Sequence, residues 1–302
     1  MGLLVNFMAQ SERLGLPVSP ETCESQEKGR LLLRLADLPT RDQFLKMYSR
    51  RVLEAPLHAS LLLTDFAGGA LKLAQHMMSN GRFLKDLPHG HGEAVVSGTG
   101  LLAPEASLWP INQSLTKTGY RVLPVDLPGI LNYEHFKRRA QLIIQKASEG
   151  FTLTGQPVKG VFLSKETLSM SLAAALYPKE VADLFDHVVY LGNPLGSEIN
   201  LVAVGGYLGT QVINRWLNRS DDFQFLEELK QELGEDAEIY LPAGIAFTEI
   251  DSRSSGITLF AQNGQDGTIW VDCTHTALAF DNRVISIIAH VFAGYEPAKV
   301  AA

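Results

Sequence analysis

The stretch VKGVFLSKETLSMSLAAALYP (residues 158–178), joined by a short polar interval to DHVVYLGNPLGSE (residues 186–198), decides how this chain folds. Val158 to Leu163 form a continuous apolar run of strand length, the pattern of a strand buried on both faces. Ser164 stops that run abruptly. The residues after it are rich in Ala and Leu and favour a helix. The second piece is another apolar strand, closed by Gly192-Asn193-Pro194. Strand, sharp turn, helix and strand make a crossover unit, which brings the two strands side by side and parallel.

The same alternation continues on both sides. AVVS (94–97) reads as a buried strand ending in the turn Gly98-Thr99-Gly100, and residues 104–117 as a helix stopped by Gly119. TGYRVLPVDLPG supplies a strand, and YEHFKRRAQLIIQKASEG an amphipathic helix with Phe136, Ala140, Ile143 and Ile144 on one stripe. Downstream, residues 199–234 are mostly helical in pattern. AGIAFTEI (243–250) reads as a strand, ITLFAQNGQDGTIWV as two strands about Asn263 to Gly267, and Asn282 to Phe292 as a last amphipathic helix. The expectation is an α/β fold, a doubly wound and mainly parallel sheet with helices on both faces.

Residues 1–81 precede this alternation and form an N-terminal helical extension to the main domain, residues 82–302. The first 30 residues are polar and suit a loose arm. A helix is expected from Thr40 and a second from Leu57 to Met78, ended by Asn80-Gly81. Asp65, Lys72 and Gly68-Gly69 interrupt the apolar run of the second, which argues against a membrane span. These helices offer either a cover for the main domain or an apolar surface for a membrane edge or a protein partner.

Composition narrows the rest. Of 302 residues, 46% are apolar, enough for a large core, and the net charge of -7 argues against a nucleic-acid surface. Cys23 and Cys273, far apart in sequence, read as free thiols. The start lacks a basic region before its apolar residues, so a soluble, cytoplasmic protein is expected. His89 and His91 stand among glycines without a carboxylate or thiol close by and read as a loop. Neither a metal nor a cofactor is expected.

Five short motifs, in order, resemble the α/β-hydrolases, specifically their bacterial lipase and esterase branch, over residues 82–294. AVVSGTGLL matches a strand leading into a glycine-containing oxyanion turn. VKGVFLSKETL matches the nucleophile elbow, with Phe162 and Glu166 in place of the two glycines of G-x-S-x-G. Leu191-Gly192-Asn193-Pro194 matches the end of the next strand. Ser252 to Thr258 match the acid loop, with Ser255 in the place of the acid, and Thr274-His275-Thr276-Ala277-Leu278 match the histidine loop.

The resemblance implies Ser164 as nucleophile, His275 as its base, and the backbone N–H groups of Thr99, Leu101 and Lys165 as oxyanion donors. With Ser255 unable to serve as acid, Glu198 ranks first as a substitute, ahead of Glu249, Asp251 and Asp272. Phe162 and Glu166 predict a relaxed turn, in which Ser164 is an ordinary helix N-cap and the Glu166 charge opposes the oxyanion. On that reading, glycines at 162 and 166 together with Asp at 255 should restore activity.

Two functions remain open from the sequence. One is a serine ester hydrolase acting on a small, apolar ester or acyl compound through Ser164 and His275. The other is a non-catalytic homologue of the same fold that binds or scaffolds. A left-handed backbone at Ser164 favours the first, and a plain N-cap the second.

Overall fold

In the computed structural model, residues 29–37, 55–79, 81–99, 105–125, 133–164, 166–193, 228–253 and 268–295 are described. Six strands form one parallel sheet. They are β2 (Ala94–Gly98), β3 (Arg121–Val125), β4 (Val158–Leu163), β5 (Phe185–Leu191), β7 (Ala246–Ser252) and β8 (Ile269–Val271), in the spatial order β3-β2-β4-β5-β7-β8. Every neighbouring pair in it is parallel. A separate two-stranded ribbon pairs β1 (Arg30–Arg34) antiparallel with β6 (Glu238–Leu241).

The central strands are apolar on both sides because both faces are covered. Val96, Phe162, Val188 and Tyr190 point into one core, with Phe136, Ala140 and Ile143 of helix α3 (Tyr133–Thr154). Met170 and Leu172 of α4 (Glu166–Leu176) and Val181 of α5 (Pro178–Leu184) complete it. Val95, Val161, Val189, Leu191 and Ile250 face the other core, against Ile111 and Leu115 of α2 (Trp109–Lys117) and Ile285 and Ile288 of α6 (Asn282–Phe292). This period-two division follows from the strand pleat. Strand β3 lies at the sheet edge, where Pro124 is tolerated because one side of the strand needs no ladder bond.

Several expected elements appear with shifted bounds. The helix expected over 104–117 begins as a 3-10 turn, Glu105–Leu108, before α2 takes over with Pro110 in its first turn. The strand expected at 243–250 starts only at Ala246, after Gly244 turns the chain at φ +95, and runs on to Ser252. Of the region 199–234, residues 228–233 are helical. Strand β8 is the second of the two strands expected around 263–267. The first lies outside the described residues, as does the helix expected from Thr40.

Helix α1 (Ala55–Ser79) belongs to the residues expected to precede the main domain. It lies against the loop that follows β8. Lys72 Nζ contacts Asp281 Oδ2 at 3.1 Å, and His76 Nδ1 lies 2.7 Å from Asn282 Oδ1. Phe66, Leu71, Met77 and Met78 of α1 are exposed on its outer side. No helix among the described residues is long and apolar enough to cross a membrane.

Candidate active site

The turn after β4 is not relaxed. Ser164 has φ +54 and is the one non-glycine residue at positive φ among the described residues. An L-residue in that region costs about 1–3 kcal/mol, so its surroundings must fix it there. The Ser164 N–H donates to the carbonyl of Leu191 (2.7 Å), extending the β4–β5 ladder by one step. Its carbonyl accepts from the Thr167 N–H (3.0 Å) and hydroxyl (2.7 Å). The same hydroxyl lies 3.1 Å from Asn193 Oδ1, and the Asn193 amide donates to Glu249 Oε1 at 3.0 Å. Glu249 also accepts from the Thr268 hydroxyl at 3.3 Å, which ties the elbow through β7 to β8.

The space that glycines at 162 and 166 would leave is found elsewhere. The Phe162 ring lies over Gly160, where a Cβ would come within 2.6 Å of its Cε2, and it meets Tyr190 edge-on at 6.4 Å between centroids. A Cβ on Gly98 would fall inside the Glu166 side chain. Two glycines on the elbow's own strand and its neighbour therefore take over the steric role. Glu166 is fully buried and paired with Arg139 of α3, whose Nε donates to Oε2 at 2.6 Å. The expected relaxed turn and uncompensated Glu166 charge are both corrected: room comes from Gly160 and Gly98, and the charge is paired with a guanidinium.

His275 sits at the start of the 3-10 turn Thr276–Ala279 and is 5% exposed. Its ring lies against Gly192 (φ +59), where a Cβ would come 2.5 Å from Cε1 and 2.7 Å from Nδ1. Only glycine fits there on both counts, the backbone angle and the approach of the ring. Ser164 and His275, 111 residues apart in sequence, thus rest on the adjacent residues Leu191 and Gly192 at the C-terminal end of the sheet. Ligand sites of open α/β sheets lie at that end. Burial holds the His275 imidazole below its ordinary pKa, and the nearby Asp65 carboxylate opposes the shift. The ring is accordingly neutral at pH 7, the form a base requires. Its Nδ1 is buried and has no hydrogen-bond partner among the described residues.

Thr99 is buried directly after β2, whose Gly98 pairs with Phe162, so it stands at the same sheet end as Ser164. Leu101, Lys165, Glu198 and Ser255 lie outside the described residues. Asp272 is exposed, and what it offers the site's loop is its carbonyl, which accepts from Arg283 at 2.9 Å. Glu249 and Asp251 are both buried on one face of β7. Burial, with Glu249 adding repulsion, pushes the Asp251 carboxyl up to about 7, against a bond from the Ser252 N–H at 2.6 Å. His89 and His91 are exposed, and among the described residues no cluster of His, Cys, Asp or Glu has the arrangement of a metal site.

Three contributors escaped the sequence reading. Arg139 was one more charge on an amphipathic helix, and Gly98 one more turn glycine. Asp65 was a blemish in an apolar run.

No protein-family model matches the chain, and no curated protein matches it. Among solved structures it is similar to the mature lipase BlEst2 of Bacillus licheniformis, at 15% identity over 65% of this chain and 89% of that one, with a TM-score of 0.42. It is also similar to a bromoperoxidase from Bacillus anthracis (14% identity, 68% and 94% covered, TM-score 0.45). Lipase B of Aspergillus fumigatus is a third (11% identity, 70% and 56% covered, TM-score 0.46). The parallel order β3-β2-β4-β5-β7-β8, covered by helices on both faces and carrying a strand-to-helix turn at Ser164, is the α/β-hydrolase fold.

Proposed function

We propose that the chain is a serine ester hydrolase acting on a small apolar ester or acyl compound. One observation carries this reading: the left-handed Ser164, held at φ +54 by bonds to Leu191 and Thr167. A plain helix N-cap has extended backbone and gains nothing from such strain. A nucleophile does, because the turn lifts its hydroxyl out of the helix's first turn.

In the proposed reaction the Ser164 hydroxyl oxygen attacks the acyl carbon while His275 takes its proton. His275 then passes that proton to the departing alcohol oxygen as the C–O bond breaks. Water repeats the sequence on the acyl-enzyme and releases the acid. The Thr99 N–H is one donor to the oxyanion, with Leu101 and Lys165 in the corresponding roles. A base without a carboxylate on Nδ1 turns over slowly, by on the order of ten-thousand-fold in the serine proteases.

The Nδ1 without a partner among the described residues is also the observation that favours the second reading, a silent site that only binds. A fluorophosphonate probe separates the two, since its reaction forms one Ser164 Oγ–P bond, expels fluoride and leaves the hydroxyl proton on His275. The expected result is slow, stoichiometric labelling that Ser164→Ala abolishes. Absence of labelling over a day at pH 8, with the protein shown to be folded by circular dichroism, overturns the proposal.

A further inference from the structure

Among the described residues, buried Asp65 of helix α1 is bonded to the start of the histidine loop. It has no exposed surface. Its carboxylate accepts from the N–H of His275 (3.3 Å), the N–H of Thr276 (2.7 Å) and the Thr276 hydroxyl (2.6 Å). Its backbone carbonyl lies 3.1 Å from the Thr274 hydroxyl and 2.6 Å from that of Thr276. Three consecutive loop residues are thus bonded to one residue of α1. The approach needs Gly68 and Gly69: a Cβ on either would come 2.7 Å from the Thr274 hydroxyl or 2.6 Å from that of Thr276.

We infer that Asp65 is a positioning residue for His275, holding its backbone against the sheet end and supplying the negative charge that stabilises its imidazolium. This inference rests on the reading of His275 as the base. The ring itself is not bonded to Asp65, so the charge acts through space and the geometry through the backbone. Proton transfer from Ser164 makes a cation in a buried place, where a nearby carboxylate is worth more than in water. The triad acid would do this from the acid loop, where this chain carries Ser255.

The other buried carboxylates of this loop and of β7 have partners of their own. Asp281, at the far end of the loop, is bound by Arg283 (Nη2 to Oδ2, 2.7 Å) and by Lys72. Glu249 takes its bonds from Asn193 and Thr268, and Asp251 from the Ser252 N–H. Burial pushes the Cys273 thiol up to about 12, so it stays neutral near pH 7. Asp65 is the carboxylate whose charge acts on His275 among the described residues.

The test is Asp65→Asn, which keeps the size and one of the two acceptor oxygens and removes the charge. Without that charge the imidazolium is less favoured. Two readouts follow: the acidic limb of the fluorophosphonate-labelling rate should move to lower pH, and the rate at pH 8 should fall by about tenfold, one pKa unit of imidazolium stabilisation. A role confined to holding the loop would lower the melting temperature and leave the limb in place. Labelling rate and limb both unchanged in folded Asp65→Asn overturn the inference.

The histidine ring signals, titrated by NMR in the Ser164→Ala background, read the same shift without any reaction. They keep this test separate from the failure of Ser164 as nucleophile. Should Asp65→Asn not fold, Gly69→Ala pushes α1 off Thr276 with the charge retained, and a smaller shift in the same direction is expected. No shift in that variant counts equally against Asp65.

Discussion

The two halves of the site are held by different means. The serine half is held from within the sheet: Ser164 bonds to the next strand, Gly98 and Gly160 lie on β2 and β4, and Arg139 comes from the adjacent helix. The histidine half is held from outside, by a helix whose Asp65 stands 210 residues before His275. Substitutions in the serine half therefore register first in the stability of the sheet. Those in the histidine half register first in the chemistry of one ring.

The harshest way to break this contrast is to write the missing glycines back. Phe162→Gly with Glu166→Gly, the pair that together with Ser255→Asp is expected from the sequence to restore activity, should instead damage the fold. Phe162 is fully buried, and emptying its place costs about 3–5 kcal/mol. Removing Glu166 leaves Arg139 buried without this partner, a loss of similar size, about 3–5 kcal/mol. Urea denaturation monitored by tryptophan fluorescence measures both. A double variant as stable as the natural protein would show that the compensation by Gly98 and Gly160 is not real.

Adding a methyl on each side tests the contrast more gently. Gly98→Ala collides with Glu166, and Gly192→Ala meets the His275 ring at a left-handed backbone angle. Each should cost about 1–3 kcal/mol by overpacking. Gly192→Ala should in addition slow fluorophosphonate labelling beyond what its stability explains, because it displaces the base. Equal effects on labelling from both variants would erase the distinction between the halves.

The smallest effect concerns the acids of β7. Asp251 has its carboxyl pushed up to about 7 by burial, so its ionised form destabilises the fold above pH 7. As pH falls from 7 toward 4, the folded state takes up the proton ahead of the unfolded chain and that penalty disappears. Asp251→Asn should therefore raise the melting temperature by a few degrees at pH 8 and by none at pH 4. Labelling of Ser164 should be unaffected. A large loss of labelling would make Asp251 the missing acid and move the support of His275 back inside the sheet.

What could be read from the sequence follows the same division. The run Val158–Leu163 and the helix Asn282–Phe292 are observed where their patterns put them, since their apolar periodicity is set by local burial. The cap on that last helix is local as well: the Asp281 side chain accepts from the Arg283 N–H at 2.9 Å. The ribbon of β1 and β6 was not legible, because Arg30–Arg34 finds its partner more than 200 residues on, where Leu32 joins Ile239 and Leu241 in the core. The strain at Ser164 was misjudged for a related reason. A motif records the residues beside the serine, whereas the room it needs was made on a neighbouring strand by Gly98. Asp65 carries no local signal at all, for its meaning lies in a loop at the other end of the chain.

The span between Asp65 and His275 also orders events in time. During synthesis α1 emerges early, while the loop it must hold is still some 200 residues from being made. Contacts of such separation close late, after the entropy of the intervening chain has been lost to the sheet. Until then the carboxylate and the glycine pair of α1 have no counterpart, and Phe66, Leu71, Met77 and Met78 add to its apolar surface. The histidine loop is thus among the last parts to settle, and the base reaches its place only once the sheet beneath it has formed. A chain stalled before that step would carry a finished serine turn and no means of using it.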